Sequence, residues 1–213
     1  GRIDILVNNA GILRDRMIDA SWGVQRELVM KVHLYGHFHC ARPACVYFRE
    51  QKSGRIINTS SASGLGNPGQ ANYSAAKEGI VGFTRTLARD MSTSSVSSSA
   101  IRPNAGTRAT LTPELEAAWA KTEAGRELIE IMHNATPEMV APMVVFLATD
   151  EAANINGCTF WVSGGEIGIY SEPVVRNCIY KDGGWTLDEL LNLVPKTLAK
   201  GLVNPAPPQP PKE

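Results

Sequence analysis

The chain has 213 residues and a mass of 23.0 kDa; 43% are hydrophobic, and 21 Lys and Arg balance 21 Asp and Glu. That is enough length and apolar content for one globular core. Zero net charge argues against a nucleic-acid binder held by phosphate contacts and against an acidic disordered chain. No apolar run approaches the roughly 18 residues of a membrane span, so no membrane partner is expected.

Cys40, Cys45, Cys158 and Cys178 show no CxxC spacing. They read as thiols of a reducing compartment, the cytoplasm, and they argue against a zinc site. The chain opens Gly1-Arg2-Ile3 without a methionine, which reads as processing, tag cleavage or a fragment.

In chain order, Ile3 to Val7 is a short apolar run of the buried parallel-strand type, closed by Asn8-Asn9-Ala10-Gly11. Residues 21–50 carry helical periodicity through Trp22, Leu28, Val29, Val32, Leu34 and Phe38. Arg55 to Thr59 is a second strand, ending in a Ser/Gly-rich loop over 60–69, and 70–91 is a long helix. Val96 to Ile101 is a third strand closed by Pro103, and a polar connection with helical pieces fills 107–135. Thr136 as N-cap with Pro137 behind it predicts a helix to about Asp150. Thr159 to Ser163 is a fourth strand, and Thr186 with Glu189 forms a capping box for one more helix. The stretch 205–213 is Pro-rich and reads as a disordered tail.

Alternating apolar strands and helices predict the α/β class, a doubly wound parallel sheet with helices on both faces. Residues 1–169 form the main domain, 170–204 an extension with one helix, and 205–213 the tail.

Tyr73 and Lys77 lie four apart on the long helix, hence on one face. A phenol with a reference pKa near 10 is a poor base at neutral pH, and an ammonium group held close favours its phenolate. The pair therefore suits proton transfer. Alone it is a weak signal. It gains weight because the Ser-rich end of the second strand and Asn8-Asn9-Ala10-Gly11 fall at the same sheet edge, where open α/β sheets bind ligands. His33, His37 and His39 invite a metal reading, but no carboxylates or cysteines cluster with them, so no metal is expected.

Four segments, D-I-L-V-N-N-A-G from Asp4, G-R-I-I-N-T-S-S from Gly54, G-Q-A-N-Y-S-A-A-K from Gly69 and I-R-P-N-A-G from Ile101, resemble the short-chain dehydrogenase/reductase family in order and spacing. The resemblance covers roughly residues 1–165. It implies a Rossmann-like fold and hydride transfer between NAD or NADP and a secondary alcohol or ketone, a small-molecule substrate. Tyr73 is then the catalytic acid/base, and Lys77 lowers its pKa and holds the nicotinamide ribose. A serine holds the substrate oxygen. Counting thirteen residues back from Tyr73 gives Ser60, and strand register gives Ser61. Register fixes side-chain direction more firmly than loop length, so Ser61 is preferred. Asn8, Ala10 and Gly11 would line the cofactor side, with Pro103 and Thr107 at the nicotinamide. His33 stands where the family often has a catalytic Asn, so the proton relay differs or His33 is structural.

A narrower resemblance, in V-H-L-x-G, S-S-A-S-G and P-N-A-G-T-R, is to the dehydrogenase part of the multifunctional enzymes of peroxisomal β-oxidation. It implies a (3R)-hydroxyacyl-CoA substrate. The segment from Tyr170 looks more like bacterial dehydrogenases of this type. Trp119 suits a substrate wall or plain packing equally.

The family's opening strand, Gly-rich turn and helix are not in the sequence, and no Gly-x-x-x-Gly-x-Gly segment occurs. The first βαβ half is therefore expected to be missing, leaving the Ile3–Val7 strand with an open edge. Ser98 falls where the family usually places an apolar residue. Family members form homodimers or homotetramers through the helices at 21–50 and 70–91. The alternative reading is a non-catalytic remnant or fragment, unable to bind cofactor alone.

Overall fold

The computed structural model describes residues 1–20, 23–108 and 110–206. Trp22 and residues 207–213 of the expected tail lie outside them. Two compact units appear, Gly1–Tyr170 and Ser171–Glu213.

The first unit is built on a five-stranded sheet in the order β1 (Ile5–Asn8), β2 (Gly54–Thr59), β3 (Val96–Asn104), β4 (Thr159–Ser163) and β5 (Glu166–Ile169). The first four strands run parallel, and β5 turns back antiparallel on β4. β5 was not expected, although Gly164-Gly165 between Ser163 and Glu166 is a two-residue hairpin turn. β3 runs three residues beyond its expected end at Ile101 and through Pro103, which pairs with Val162. Near a strand end a residue without an N–H costs only one ladder bond.

Helices cover both faces. Ile56 and Ile57, successive in β2, point to opposite sides. Ile56 packs with Ala44 and Phe48 of α2 (Gly36–Gln51), Met91 and Val96, and Leu87 of α3 (Ala71–Asp90) joins them. Ile57 packs with Ile101, Phe160 and Val162 against Met143 and Leu147, and these two lie on a helix spanning Ala141–Ala148. Each such side chain, fully buried, contributes about 1.5–3 kcal/mol. Ser98 is 1% exposed and its hydroxyl lacks a partner among the described residues, a cost of about 1–3 kcal/mol.

The helical stretch before β2 differs from its hydropathy reading. It comprises α1 (Val24–Met30), a π-helical turn over Lys31–Tyr35, and then α2. Its buried stripe is Val29, His33, His37, Ala41, Ala44 and Phe48, while Leu28 and Phe38 stand 40% and 52% exposed. The two histidines are accepted in the core because backbone groups meet their rings. Between β3 and β4 lie α4 (Pro113–Trp119), α5 (Glu123–Asn134) and α6 (Ala141–Ala148). Thr136 makes no capping bond, and Pro137–Met139 forms only a 3-10 turn. A second proline, Pro142, is tolerated only in a first turn, so α6 starts anew at Ala141.

In the second unit Thr186 and Glu189 complete a reciprocal capping box at the start of α7 (Leu187–Leu193), and Lys181 pairs with Glu189.

Candidate active site

The carboxyl ends of β1, β2 and β3 open onto a cavity of about 440 Å³. A polar chain inside the sheet sets the strand ends: Asn8 donates to Asn58 at 2.9 Å, Asn58 to Thr84 at 2.9 Å, and Thr84 to the Ile80 carbonyl at 2.8 Å. Thr59 donates to Asn9 at 3.0 Å. Gly11, Ser61, Tyr73, Lys77, Pro103, Thr107 and His33 all line the cavity.

Tyr73 and Lys77 come from one face of α3. The Lys77 side chain is 3% exposed and its ammonium donates to the Thr59 carbonyl at 2.6 Å. Burial lowers its pKa to about 8. Its Nζ lies 5.5 Å from the centre of the Tyr73 ring. Burial pushes the Tyr73 phenol above its ordinary value; a side-chain hydrogen bond with Ser61 pulls it down, and the Asp15 carboxylate pushes it up. Lys77 was expected to lower this pKa. Its ammonium is instead engaged by Thr59, and desolvation dominates at the phenol. Tyr73 therefore holds its proton firmly at neutral pH.

The two serines have different partners. Ser60 is 1% exposed and its hydroxyl donates to the Lys77 carbonyl at 2.7 Å. Ser61 is the serine whose hydroxyl favours the Tyr73 phenolate, and its Oγ accepts from the Ser63 N–H at 3.2 Å.

His33 connects three parts. Its Nε2 lies 2.8 Å from the Ile12 carbonyl oxygen, and its ring meets Tyr73 edge-on at 5.1 Å. Gly11 passes so close that a Cβ there would sit 2.6 Å from His33 Cε1. At the π-helical turn the His33 carbonyl accepts from the Gly36 N–H and also from His37 Nδ1 at 2.6 Å. Burial lowers both imidazoles to about 4, so both are neutral at pH 7. Among the described residues no three His, Cys, Asp or Glu side chains gather as metal ligands. No described helix is long and apolar enough to cross a membrane.

Two expected cofactor residues are not brought to the cavity. Asn8 points into the sheet toward Asn58, and Ala10 is exposed outside the lining. In a strand-to-turn segment adjacent side chains diverge, and here Asn9 and Gly11 face inward. Trp119 is also outside the lining. Sequence reasoning missed Asn9, Gln70, Asn104, Thr110 and Val140, which do line it. Of these, Asn9 and Asn104 had a readable signal, since each stands at the end of a parallel strand.

A family model described as enoyl-(acyl carrier protein) reductase matches residues 1–166. The peroxisomal hydratase-dehydrogenase-epimerase of Neurospora crassa is 45% identical over 172 residues, 78% of this chain and 17% of the relative. The hydroxyacyl-CoA dehydrogenase ChsB1 of Mycobacterium tuberculosis is 38% identical over 200 residues, 89% of this chain and 61% of the relative. A crystal structure of a short chain dehydrogenase from Mycobacterium avium superposes with a TM-score of 0.77 at 37% identity. It covers 96% of this chain, reaching into residues 171–213, and 66% of its own. The chain thus spans less than two thirds of these relatives.

Proposed function

Because the chain belongs to the short-chain dehydrogenase/reductase family, whose cofactors are NAD and NADP, we propose that its cavity transfers a hydride between the nicotinamide and a secondary alcohol or ketone. The observation that carries this reading is the convergence of the Ser61 hydroxyl, the Tyr73 phenol and the Lys77 ammonium on one cavity at the ends of three parallel strands.

The cavity volume lies within the range that holds a small organic group. The close approach of Gly11 to His33 leaves backbone, not side chain, along one wall. These features fit a nicotinamide and its ribose. Gly11, Pro103 and Thr107 would line the ring, and Lys77 would meet the ribose hydroxyls. When bound, the nicotinamide supplies or takes up the hydride. In the reducing direction Ser61 holds the carbonyl oxygen and Tyr73 gives its proton to that oxygen as negative charge develops there. In the oxidising direction Tyr73 takes the proton back. Lys77 contributes a buried positive charge beside the reacting oxygen. His33, neutral, keeps the Gly11–Ile12 turn and the Tyr73 ring in register.

The relatives' names support a 3-hydroxyacyl-CoA as the substrate class. Exposed Phe38, Val46 and Tyr47 on α2 support a homodimer or homotetramer formed through α2 and α3. The free cysteines support the cytoplasm as compartment. The test is hydride transfer with NAD and NADP, offered 3-hydroxyacyl-CoA and simple secondary alcohols. Transfer confined to hydroxyacyl thioesters supports the whole reading; transfer only with simple alcohols removes the substrate class.

A second reading concerns these 213 residues by themselves. They hold no Gly-x-x-x-Gly-x-Gly turn, and Ile5 and Val7 on edge strand β1 are 46% and 44% exposed. A dinucleotide's pyrophosphate would have no helix N-terminus behind such a turn to meet it. On this reading the chain alone binds cofactor too weakly to turn over.

A further inference from the structure

Arg102 is a charged side chain that the chemistry above leaves unused. It lies on β3, 3% exposed, paired in register with Trp161. Its guanidinium is held from three directions. Nη1 donates to the Ser61 carbonyl at 2.7 Å, Nη2 donates to the Glu78 carboxylate at 2.7 Å, and Cζ lies 4.9 Å from the centre of the Tyr170 ring. Glu78 follows Lys77 on α3, so one planar fork joins the serine segment to the helix that carries Tyr73 and Lys77.

We propose that Arg102 is a positioning residue that fixes the Ser61 carbonyl, and through it directs the Ser61 hydroxyl at Tyr73. This rests on the reading of Ser61 given above. The Ser61 carbonyl also accepts from Gly64 N at 3.1 Å, so both of its lone pairs are engaged and its peptide plane is fixed. The loop is shaped around the fork: a Cβ on Gly64 would sit 2.8 Å from Arg102 Nη1 and 2.9 Å from Glu78 Oε2. Stability alone is a poor reason for this arrangement. Desolvating a guanidinium offsets most of what an ion pair returns, and here the carboxylate is 45% exposed while Arg102 Nε has no partner among the described residues. What the fork supplies is direction, because its two N–H groups have a fixed angle that a lysine lacks.

The test uses the 213-residue chain with Cζ-labelled tyrosine, following the Tyr73 resonance by NMR as pH is raised; Tyr73→Phe assigns the signal. Arg102→Lys keeps the charge and loses the fork. Ser61→Ala is expected to move the Tyr73 titration upward. Arg102→Lys is expected to move it the same way, and the double variant to titrate where Ser61→Ala does. A folded Arg102→Lys chain with an unmoved Tyr73 overturns the inference. So does a shift that persists undiminished in the Ser61→Ala background, since Arg102 would then act by some route other than Ser61. No shift in Ser61→Ala itself overturns the Ser61–Tyr73 bond and this inference together, whatever the hydride-transfer assay shows. If Arg102→Lys does not fold, Glu78→Gln takes its place in the same double cycle. The part of its effect that vanishes with Ser61→Ala is the part carried through Ser61, and none vanishing is the contrary result.

Discussion

Ser60 and Lys77 are joined by a buried hydrogen bond, hydroxyl to backbone carbonyl, at 2.7 Å. The bond ties the end of β2 to α3, and Ser61, one residue on, lines the cavity with Tyr73. Neighbouring serines should therefore fail differently. Ser60→Ala removes one of the bonds to the Lys77 carbonyl, which α3 also engages, and is expected to cost about 0.5–1.5 kcal/mol of stability, with hydride transfer changed only slightly. Ser61→Ala removes the partner of the Ser63 N–H and is expected to cost about 0.5–1 kcal/mol of stability, and to slow transfer about 100-fold, the scale of losing one donor to a developing oxyanion. Denaturant melts beside rate measurements separate the two; the reverse assignment would make Ser60 the catalytic serine.

His33 and His37 give the fold an acid limit. Both are lowered to about 4 by burial, against an unfolded value near 6.5. Between these values the unfolded chain takes up protons that the folded chain refuses, so stability falls as pH drops through the window. The slope reaches about 1.4 kcal/mol per pH unit for each histidine. Chemical denaturation at a series of pH values from 7 down to 4 measures it. His37→Asn should roughly halve the slope, whereas an unchanged slope would assign the acid sensitivity to other groups.

β1 supplies a prediction about the cofactor. Ile5 and Val7 stand exposed on it, and these 213 residues contain no Gly-x-x-x-Gly-x-Gly segment. On the proposed reading the 213-residue chain by itself is expected to bind NADH with a dissociation constant weaker than about 1 mM, because that segment commonly supplies the pyrophosphate contacts. Fluorescence titration checks this. Micromolar binding would show that phosphate contacts come from residues assigned no such role.

Much of this architecture was legible because parallel strands buried on both faces are continuous apolar runs. Ile56-Ile57 and the Thr159–Ser163 strand announced themselves, and Thr186 with Glu189 announced a helix start. Tyr73 and Lys77 were legible through helical spacing. Other features depend on what meets a side chain in space. His33 and His37 occupy a core stripe because the π-helical turn and the Ile12 carbonyl meet their rings, and no hydropathy pattern encodes that. The Tyr73 phenol is pushed up by burial, while Lys77 donates to the Thr59 carbonyl eighteen residues away. Asn8 and Asn9 differ only in which way a turn carries them. Arg102 carried no signal in the sequence, because its fork is set by Ser61 and Glu78, which meet it only in the fold.

The pH dependence of transfer follows from the Tyr73 phenol. Because its pKa lies above the ordinary 10, the proton donor is present throughout the neutral range, and reduction should be nearly flat from pH 6 to 7.5. Oxidation needs the phenolate and should rise about tenfold per pH unit from pH 7 to about 8, above which Lys77 loses the charge that favours it. A plateau in oxidation below pH 8 would place the base elsewhere.

In the proposed reaction Tyr73 moves the proton that accompanies the hydride. This role is tested most directly by placing a βαβ half with a Gly-x-x-x-Gly-x-Gly turn ahead of β1, and measuring hydride transfer in that folded chain and its Tyr73→Phe variant. The account predicts transfer in the first and a loss of about 100- to 10,000-fold in the second. Equal rates in both, or none in either despite measured cofactor binding, would contradict it and leave the cavity a scaffold without catalysis.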